Sequence, residues 1–294
     1  MATAISAPSK LLDGKALAKL IKERLKSEVK QVCEALGMPP GLAVILVGDN
    51  PASKVYVKNK EAACAEVGIH SFPYNLAENI TQTYLLELIG NLNRNPQVHA
   101  ILVQLPLPKQ IDPQAVAEAI DPSKDADGFH PMNLGKLMSG LPCPFIPPTP
   151  AAVMKLIEQT GQSLDGKQAV IVGRSNIVGK PLIHLLLQRH ATVSICHSHT
   201  KNLASVVKTG DIVIAAAGKP RLIEKNMIKA NATVIDVGIN RDLDGKLIGD
   251  VNFEEVEPGA KFITPVPGGV GPMTIAMLLK NTVDAAKRKL PEFL

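Results

Sequence analysis

Apolar residues along the chain recur with a helical period, are broken by short continuous apolar runs, and resume. Between residues 13 and 36 they return every three or four positions, the spacing of an amphipathic helix. Asp13 is placed to cap that helix and Gly37 to stop it. "GLAVILVGD" follows, an apolar run of strand length. In the next helix Asn50 can cap, Pro51 suits the first helical position and Gly68 suits the end. The pattern then predicts a strand over 69–74, a helix over 81–93, a strand in "VHAILVQLPLP" and a short helix over 113–120. Strands that are apolar throughout and alternate with helices predict a parallel α/β sheet.

"LPCPFIPPTPAA" carries five prolines between Pro142 and Pro150 and reads as an irregular junction between domains. Beyond it come a helix in "AAVMKLIEQTG", then strand, glycine turn, helix and strand in "KQAVIVGRSNIVGKPLIHLLLQRHATVSICHS". "DIVIAAAG" and "ATVIDVGIN" are two further buried strands, and "TIAMLLKNTVDAAKRKL" is a long amphipathic helix. The expected architecture is two α/β domains flanking a cleft, the second of Rossmann type, with the C-terminal helix returning to the first. The expected bounds are 1–148 with 273–294 for the first domain and 149–272 for the second.

Composition narrows the function classes. The formal net charge is +5, from 32 Lys and Arg against 27 Asp and Glu, and these charges are scattered. With 3% aromatics and no Trp, a base-stacking platform is not expected, so nucleic acid is set aside as a partner. No apolar run approaches the roughly 18 residues of a membrane span. The four cysteines lie far apart with no CxxC pair, which points to reduced thiols rather than zinc or a disulfide framework. The N-terminus has no apolar signal core. A cytoplasmic protein is expected.

"VIVGRSNIVGKP" joins a strand to a helix, where backbone N–H groups can hold a pyrophosphate. It departs from G-x-G-x-x-G: Ser175 stands at the middle glycine and Gly179 comes one residue late after Gly173. A turn that only joins strand to helix stays open on that motif alone. The following strand ends in Cys196, His197 and Ser198, with no acid to bind a ribose 2′-hydroxyl. With Arg174 in the turn, this favours the 2′-phosphate of NADP over NAD. His197 and His199 have metal-pair spacing, but no third ligand is visible and no metal is expected.

"SKVYVKNKEA" stacks Ser53, Tyr56 and Lys60 on one helix face. From spacing alone the plainer reading is a solvated face. The motifs "SKVYVKNKEA", "VQLPLP", "KDADGFHP", "PPTP", "GRSNIVGKP", "DVGIN" and "TPVPGGVGPMT" change that. Together the chain resembles the bifunctional methylenetetrahydrofolate dehydrogenase/methenyltetrahydrofolate cyclohydrolase family from about Leu11 to Lys287. The valine that the resemblance leads one to expect at position 126 is Ala126 here.

The resemblance implies NADP-dependent oxidation of 5,10-methylenetetrahydrofolate, then hydrolysis of the 5,10-methenyl product to 10-formyltetrahydrofolate. It makes Lys60 the acid/base group, Tyr56 a packing surface for the folate rings, Gln104 the partner that tunes Lys60, and Asp127 the acid that holds the pterin. Asp125 is the rival carboxylate in the same motif. Ser53, Val103 and Leu105 would line the substrate pocket, as would Pro267, Gly268, Gly269, Gly271 and Pro272 in a glycine–proline loop. Gly173, Arg174, Ser175, Ile177, Gly179, Ser198, Ile239 and Gly271 would face the cofactor. A homodimer through the Rossmann half is also implied, by way of residues 192–203. The alternatives are a monofunctional NAD-dependent dehydrogenase and a catalytically inactive folate-binding protein. No synthetase activity is expected, since these residues leave no length for such a domain and carry no P-loop.

Overall fold

The computed structural model describes residues 10–290. In chain order, α1 spans Gly14–Leu36, β1 Gly41–Val47, α2 Pro51–Val67, β2 His70–Leu76, α3 Gln82–Arg94, β3 Ala100–Val103, α4 Pro113–Ala119 and α5 Pro131–Met138. Then come α6 Pro148–Gln159, β4 Gln168–Val172, α7 Gly179–Leu187, β5 Thr192–Cys196, α8 Leu203–Val207, β6 Ile212–Ala215 and β7 Thr233–Asp236. The chain closes with β8 Asn240–Arg241, β9 Leu247–Ile248, α9 Phe253–Val256, β10 Phe262–Ile263 and α10 Val270–Lys287. Among the described residues, no helix is long and apolar enough to cross a membrane.

The helix ends follow local chemistry. The Asp13 carboxylate accepts from the Ala16 N–H at 2.9 Å. Asn50 caps α2 through the Ser53 N–H, and Gly68 ends it in the left-handed conformation. Thr81 caps α3 and Asp112 caps α4. α5 escapes the apolar pattern because it is short; His130 caps it and Pro131 opens it. Two helices start earlier than the apolar pattern predicts. α6 opens at Pro148, inside the proline-rich junction, and α10 opens at Val270, inside the expected glycine–proline loop. A first helical turn has unpaired N–H groups, so proline costs it nothing there.

The described chain divides into two compact units. One holds Lys19–Pro148 and the chain from Ile275 onward. Its sheet has the order β2-β1-β3, all parallel. β1 is buried along its whole length, and its side chains alternate between two cores. Leu42, Val44 and Leu46 pack with Val57 and Cys64 of α2 and with Leu278, Leu279 and Val283 of α10. Ala43, Ile45 and Val47 pack with Leu85, Ile89 and Leu92 of α3. The C-terminal helix thus completes the core of the first half, and the Asn281 amide donates to the carbonyls of Ala126 and Ile146.

The other unit holds Thr149–Thr274 together with the described residues up to Ala18. Its five strands are parallel in the order β10-β7-β6-β4-β5. The segment before α1 groups here, unlike the expected bounds, because its backbone extends the β10 edge. The Leu12 N–H donates to the Ile263 carbonyl, and the Lys15 N–H donates to that of Gly268.

Candidate active site

Lys60 lies near the middle of α2, and Gln104 is the first residue past β3. The Gln104 N–H donates to the Ile45 carbonyl, carrying the β1–β3 ladder one step further and fixing the direction of the side chain. The Gln104 Nε2 donates to the Leu105 carbonyl at 2.7 Å, which turns Oε1 toward Lys60. The Lys60 ammonium donates to that Oε1 at 3.0 Å. Burial holds the Lys60 ammonium below the ordinary lysine range, and the nearby Asp127 carboxylate works in the opposite sense. Burial also pushes Asp127 up to about 6, against the pull of Lys60. The Asp127 carboxylate makes no hydrogen bond among the described residues.

Asp125 behaves differently. It is buried and accepts from the N–H groups of Phe129 and His130 and from the Asn133 amide. That carboxylate is used up in holding the turn, while Asp127, two residues on, stays free. Tyr56 is 37% exposed, one turn before Lys60. Ser53 is buried in the first turn of α2, and its backbone rather than its side chain engages Asn50. Val103 is buried at the end of β3, and Leu105 is half-buried beside a cis bond to Pro106.

Pro267, Gly268, Gly269, Gly271 and Pro272 fall in the other unit. The Val266–Pro267 bond is cis. Gly268 has φ +110, and a Cβ on Gly269 would come within 2.6 Å of the Pro265 carbonyl. These glycines meet the protein's own chain: a Cβ on Gly14 would overlap the Gly269 carbonyl. Gly271 and Pro272 belong to the first turn of α10.

The nucleotide-type turn joins β4 to α7. Gly173 has φ +139, and any Cβ there would overlap the Ala216 carbonyl. A Cβ on Gly179 would overlap the Gly173 carbonyl, so the last glycine packs helix against strand. Arg174, Ser175, Asn176 and Ile177 are exposed, and no side chain caps the α7 N-terminus. Ser198 is exposed just past β5, whose end carries no acid. Ile239, past β7, is 47% exposed. The turn N–H groups not bonded within it, a helix start without a side-chain cap and a guanidinium without an ion pair among the described residues fit a phosphorylated dinucleotide. His197 and His199 lie with ring centroids 6.0 Å apart. Among the described residues, no group of three or more His, Cys, Asp or Glu is placed to hold a metal.

Asp236, Asp250 and Thr264 were not evident as site residues from the sequence. Asp236, in the "DVGIN" motif at the end of β7, was the available signal. Burial and the Asp250 carboxylate push Asp236 up to about 7, against three N–H donors.

A doubly covered parallel sheet with a glycine turn feeding a helix, in one chain with a half-buried lysine held by a neutral glutamine, defines a nucleotide-dependent α/β enzyme class. Residues 12–127 match the family described as tetrahydrofolate dehydrogenase/cyclohydrolase, catalytic domain. Residues 147–290 match the NAD(P)-binding domain of the same family. The chain is 58% identical over 279 residues to the bifunctional protein FolD of Acetivibrio thermocellus, covering 95% of this chain and 97% of that one. It resembles the solved bifunctional FolD methylenetetrahydrofolate dehydrogenase/cyclohydrolase of Campylobacter jejuni, with TM-score 0.93, 55% identity and coverage of 95% and 99%. It also resembles the Trypanosoma brucei dehydrogenase–cyclohydrolase, solved with NADP cofactor and inhibitor, with TM-score 0.92, 40% identity and coverage of 97% and 100%. The chain belongs to the tetrahydrofolate dehydrogenase/cyclohydrolase family.

Proposed function

We infer that this protein is a bifunctional one-carbon folate enzyme. It oxidises 5,10-methylenetetrahydrofolate with NADP and hydrolyses the 5,10-methenyl product to 10-formyltetrahydrofolate. The observation that carries the reading is the Lys60–Gln104 hydrogen bond with Asp127 beside it, in a chain of this family.

When bound, NADP would supply the hydride acceptor for oxidation of the bridging methylene. Arg174 and Ser198 would hold its 2′-phosphate, and the turn from Gly173 to Gly179 with the α7 N-terminus would hold its pyrophosphate. Ile239 would meet it through its backbone. For hydrolysis, water adds to the methenyl carbon and loses a proton. The hydroxyl left on that carbon then gives up its proton as the carbon–N5 bond breaks and N5 gains one, so that one proton is released overall. Lys60 handles these transfers. An amine can do so near neutral pH only if its pKa is depressed, and burial depresses it here. The partner also matters: Gln104 is neutral and accepts from the amine in either protonation state, whereas a carboxylate there would lock in the ammonium. Tyr56 offers its ring to the pterin, and the unpaired Asp127 carboxylate accepts from the amino-pyrimidinone edge.

We further propose a cytoplasmic homodimer. Four free cysteines favour a reducing compartment. β5 is an edge strand of the five-stranded sheet, with ladder groups open to pairing.

The test is a spectrophotometric assay on the purified chain. One arm supplies methylenetetrahydrofolate with NADP or NAD; the other follows loss of methenyltetrahydrofolate. NADP-dependent oxidation with accelerated hydrolysis is expected. Oxidation by NAD alone, without hydrolysis, would overturn the reading in favour of a monofunctional dehydrogenase.

A further inference from the structure

Two carboxylates that the mechanism does not use, Asp236 and Asp250, each accept three N–H hydrogen bonds. Asp250 is 0% exposed and Asp236 is 3% exposed. Neither is paired with a lysine or arginine among the described residues. Backbone and amide N–H groups satisfy them instead. Asp236 accepts from the N–H groups of Gly238, Asp250 and Val251, each at 2.9 Å. Asp250 accepts from the N–H groups of Ala217 at 2.6 Å and Gly218 at 2.8 Å, and from the Asn240 amide at 2.8 Å. The Asp236 N–H in turn donates to the Thr264 hydroxyl at 2.7 Å. Gly238 and Gly249 leave room for this: a Cβ on the first would overlap Asp250, and one on the second would overlap Asp236.

The donors come from separate loops. Ala217 and Gly218 follow β6 and Gly238 and Asn240 follow β7, while Thr264, which accepts the Asp236 N–H, follows β10. All three strands are parallel, so these loops lie at one edge of the sheet, its carboxyl end. Open α/β sheets bind ligands at that edge. Ile239 sits between two of the bonded residues and is itself exposed. Buried carboxylates with several N–H donors hold backbone more firmly than neutral acceptors do.

We propose that Asp236 and Asp250 are positioning residues for the dinucleotide: their carboxylates pin the loops after β6 and β7 into one rigid rim against which the cofactor binds. They do not touch the cofactor themselves. The proposal rests on the reading that this unit binds NADP.

The hydrolytic reaction uses Lys60 in the other unit and no dinucleotide, so it serves as an internal control. In Asp250→Asn, an amide replaces an acceptor and faces N–H donors. The expected result is a rise of about tenfold or more in KM for NADP, a smaller change in kcat, and a hydrolysis rate close to that of the parent. Asn240→Ala removes one donor and leaves both carboxylates, so it keeps the test alive if the first variant does not fold. Its KM for NADP should rise about threefold with hydrolysis unchanged. NADP titration calorimetry should show weakening in the same order. An unchanged KM for NADP in both variants would overturn the inference. So would loss of both activities in step in Asn240→Ala, which would mark a merely structural role. A parent protein that does not oxidise substrate with NADP would overturn the reading of the activity itself; a working parent with indifferent variants overturns only the positioning role.

Discussion

Asp127 and Asp250 are both acids in buried surroundings, and the contrast between their neighbourhoods separates chemistry from architecture. The Asp250 carboxylate accepts three N–H groups and is closed off from solvent. Asp127 has no hydrogen bond among the described residues; only the charge of Lys60 acts on it favourably. Lys60 in turn has one neutral partner, Gln104. A group that must bind or exchange protons cannot have every bonding position spent on its own protein. A group that must hold loops still should have all of them spent. Within one short motif the same division recurs between the tied Asp125 and the free Asp127.

The largest break in this contrast should come from Lys60→Met. Methenyl hydrolysis should fall by about 10²–10⁴-fold, the range for loss of a general acid–base group, while calorimetric NADP affinity holds. The same variant should melt higher at pH 7. A buried amine with a depressed pKa binds its proton more readily unfolded than folded, so it costs stability below its folded pKa and less as pH rises through it. Hydrolysis that survives the substitution would remove Lys60 from the mechanism.

The two motif aspartates should split next. Asp125→Ala orphans three donors and should cost about 2–4 kcal/mol in urea denaturation. Asp127→Ala orphans none and should cost well under 1 kcal/mol while slowing hydrolysis. Equal stability losses would erase the distinction. In the nucleotide unit, Arg174→Ala should lower the preference for NADP over NAD by about tenfold, read as the ratio of kcat/KM values, since an exposed guanidinium can pair with the 2′-phosphate. The mildest prediction is a shift of profile. Asp127 raises the pKa of Lys60, so Asp127→Asn should move the rising limb of hydrolysis against pH to lower pH. Movement to higher pH would mean that the charge coupling has the other sign.

Much of the molecule was legible in its sequence because the signals are local. Asn50, Pro51 and Gly68 bracket α2 by satisfying or dispensing with helix-end groups a few residues away, and the structure has them doing so. The unbroken apolar run of β1 announced a sheet covered on both faces. Gly173 and Gly179 announced the turn, since a Cβ at either would overlap backbone. Where local signals were absent or conflicting, the reading stopped short. α5 was too short to show a period. The prolines at 148 and 150 looked like an irregular junction, although a first helical turn accepts them. The glycines at 268 and 269 suggest room for a ligand, while part of that room is taken by the first residues of α1, Gly14 and Lys15.

What the tertiary structure alone decided is which polar side chains remain unpaired. "KDADG" offers two equivalent carboxylates, and only the fold brings Phe129, His130 and Asn133 onto Asp125 and leaves Asp127 beside Lys60. Gln104 lies 44 positions from Lys60, and their hydrogen bond exists because the end of β3 stands by α2. Asp236 and Asp250 take donors from loops up to 33 residues away. Helix caps and turns are decided within a few residues of chain, so a sequence can determine them. Burial and the satisfaction of a charge depend on groups brought together from distant positions, and only folding determines those.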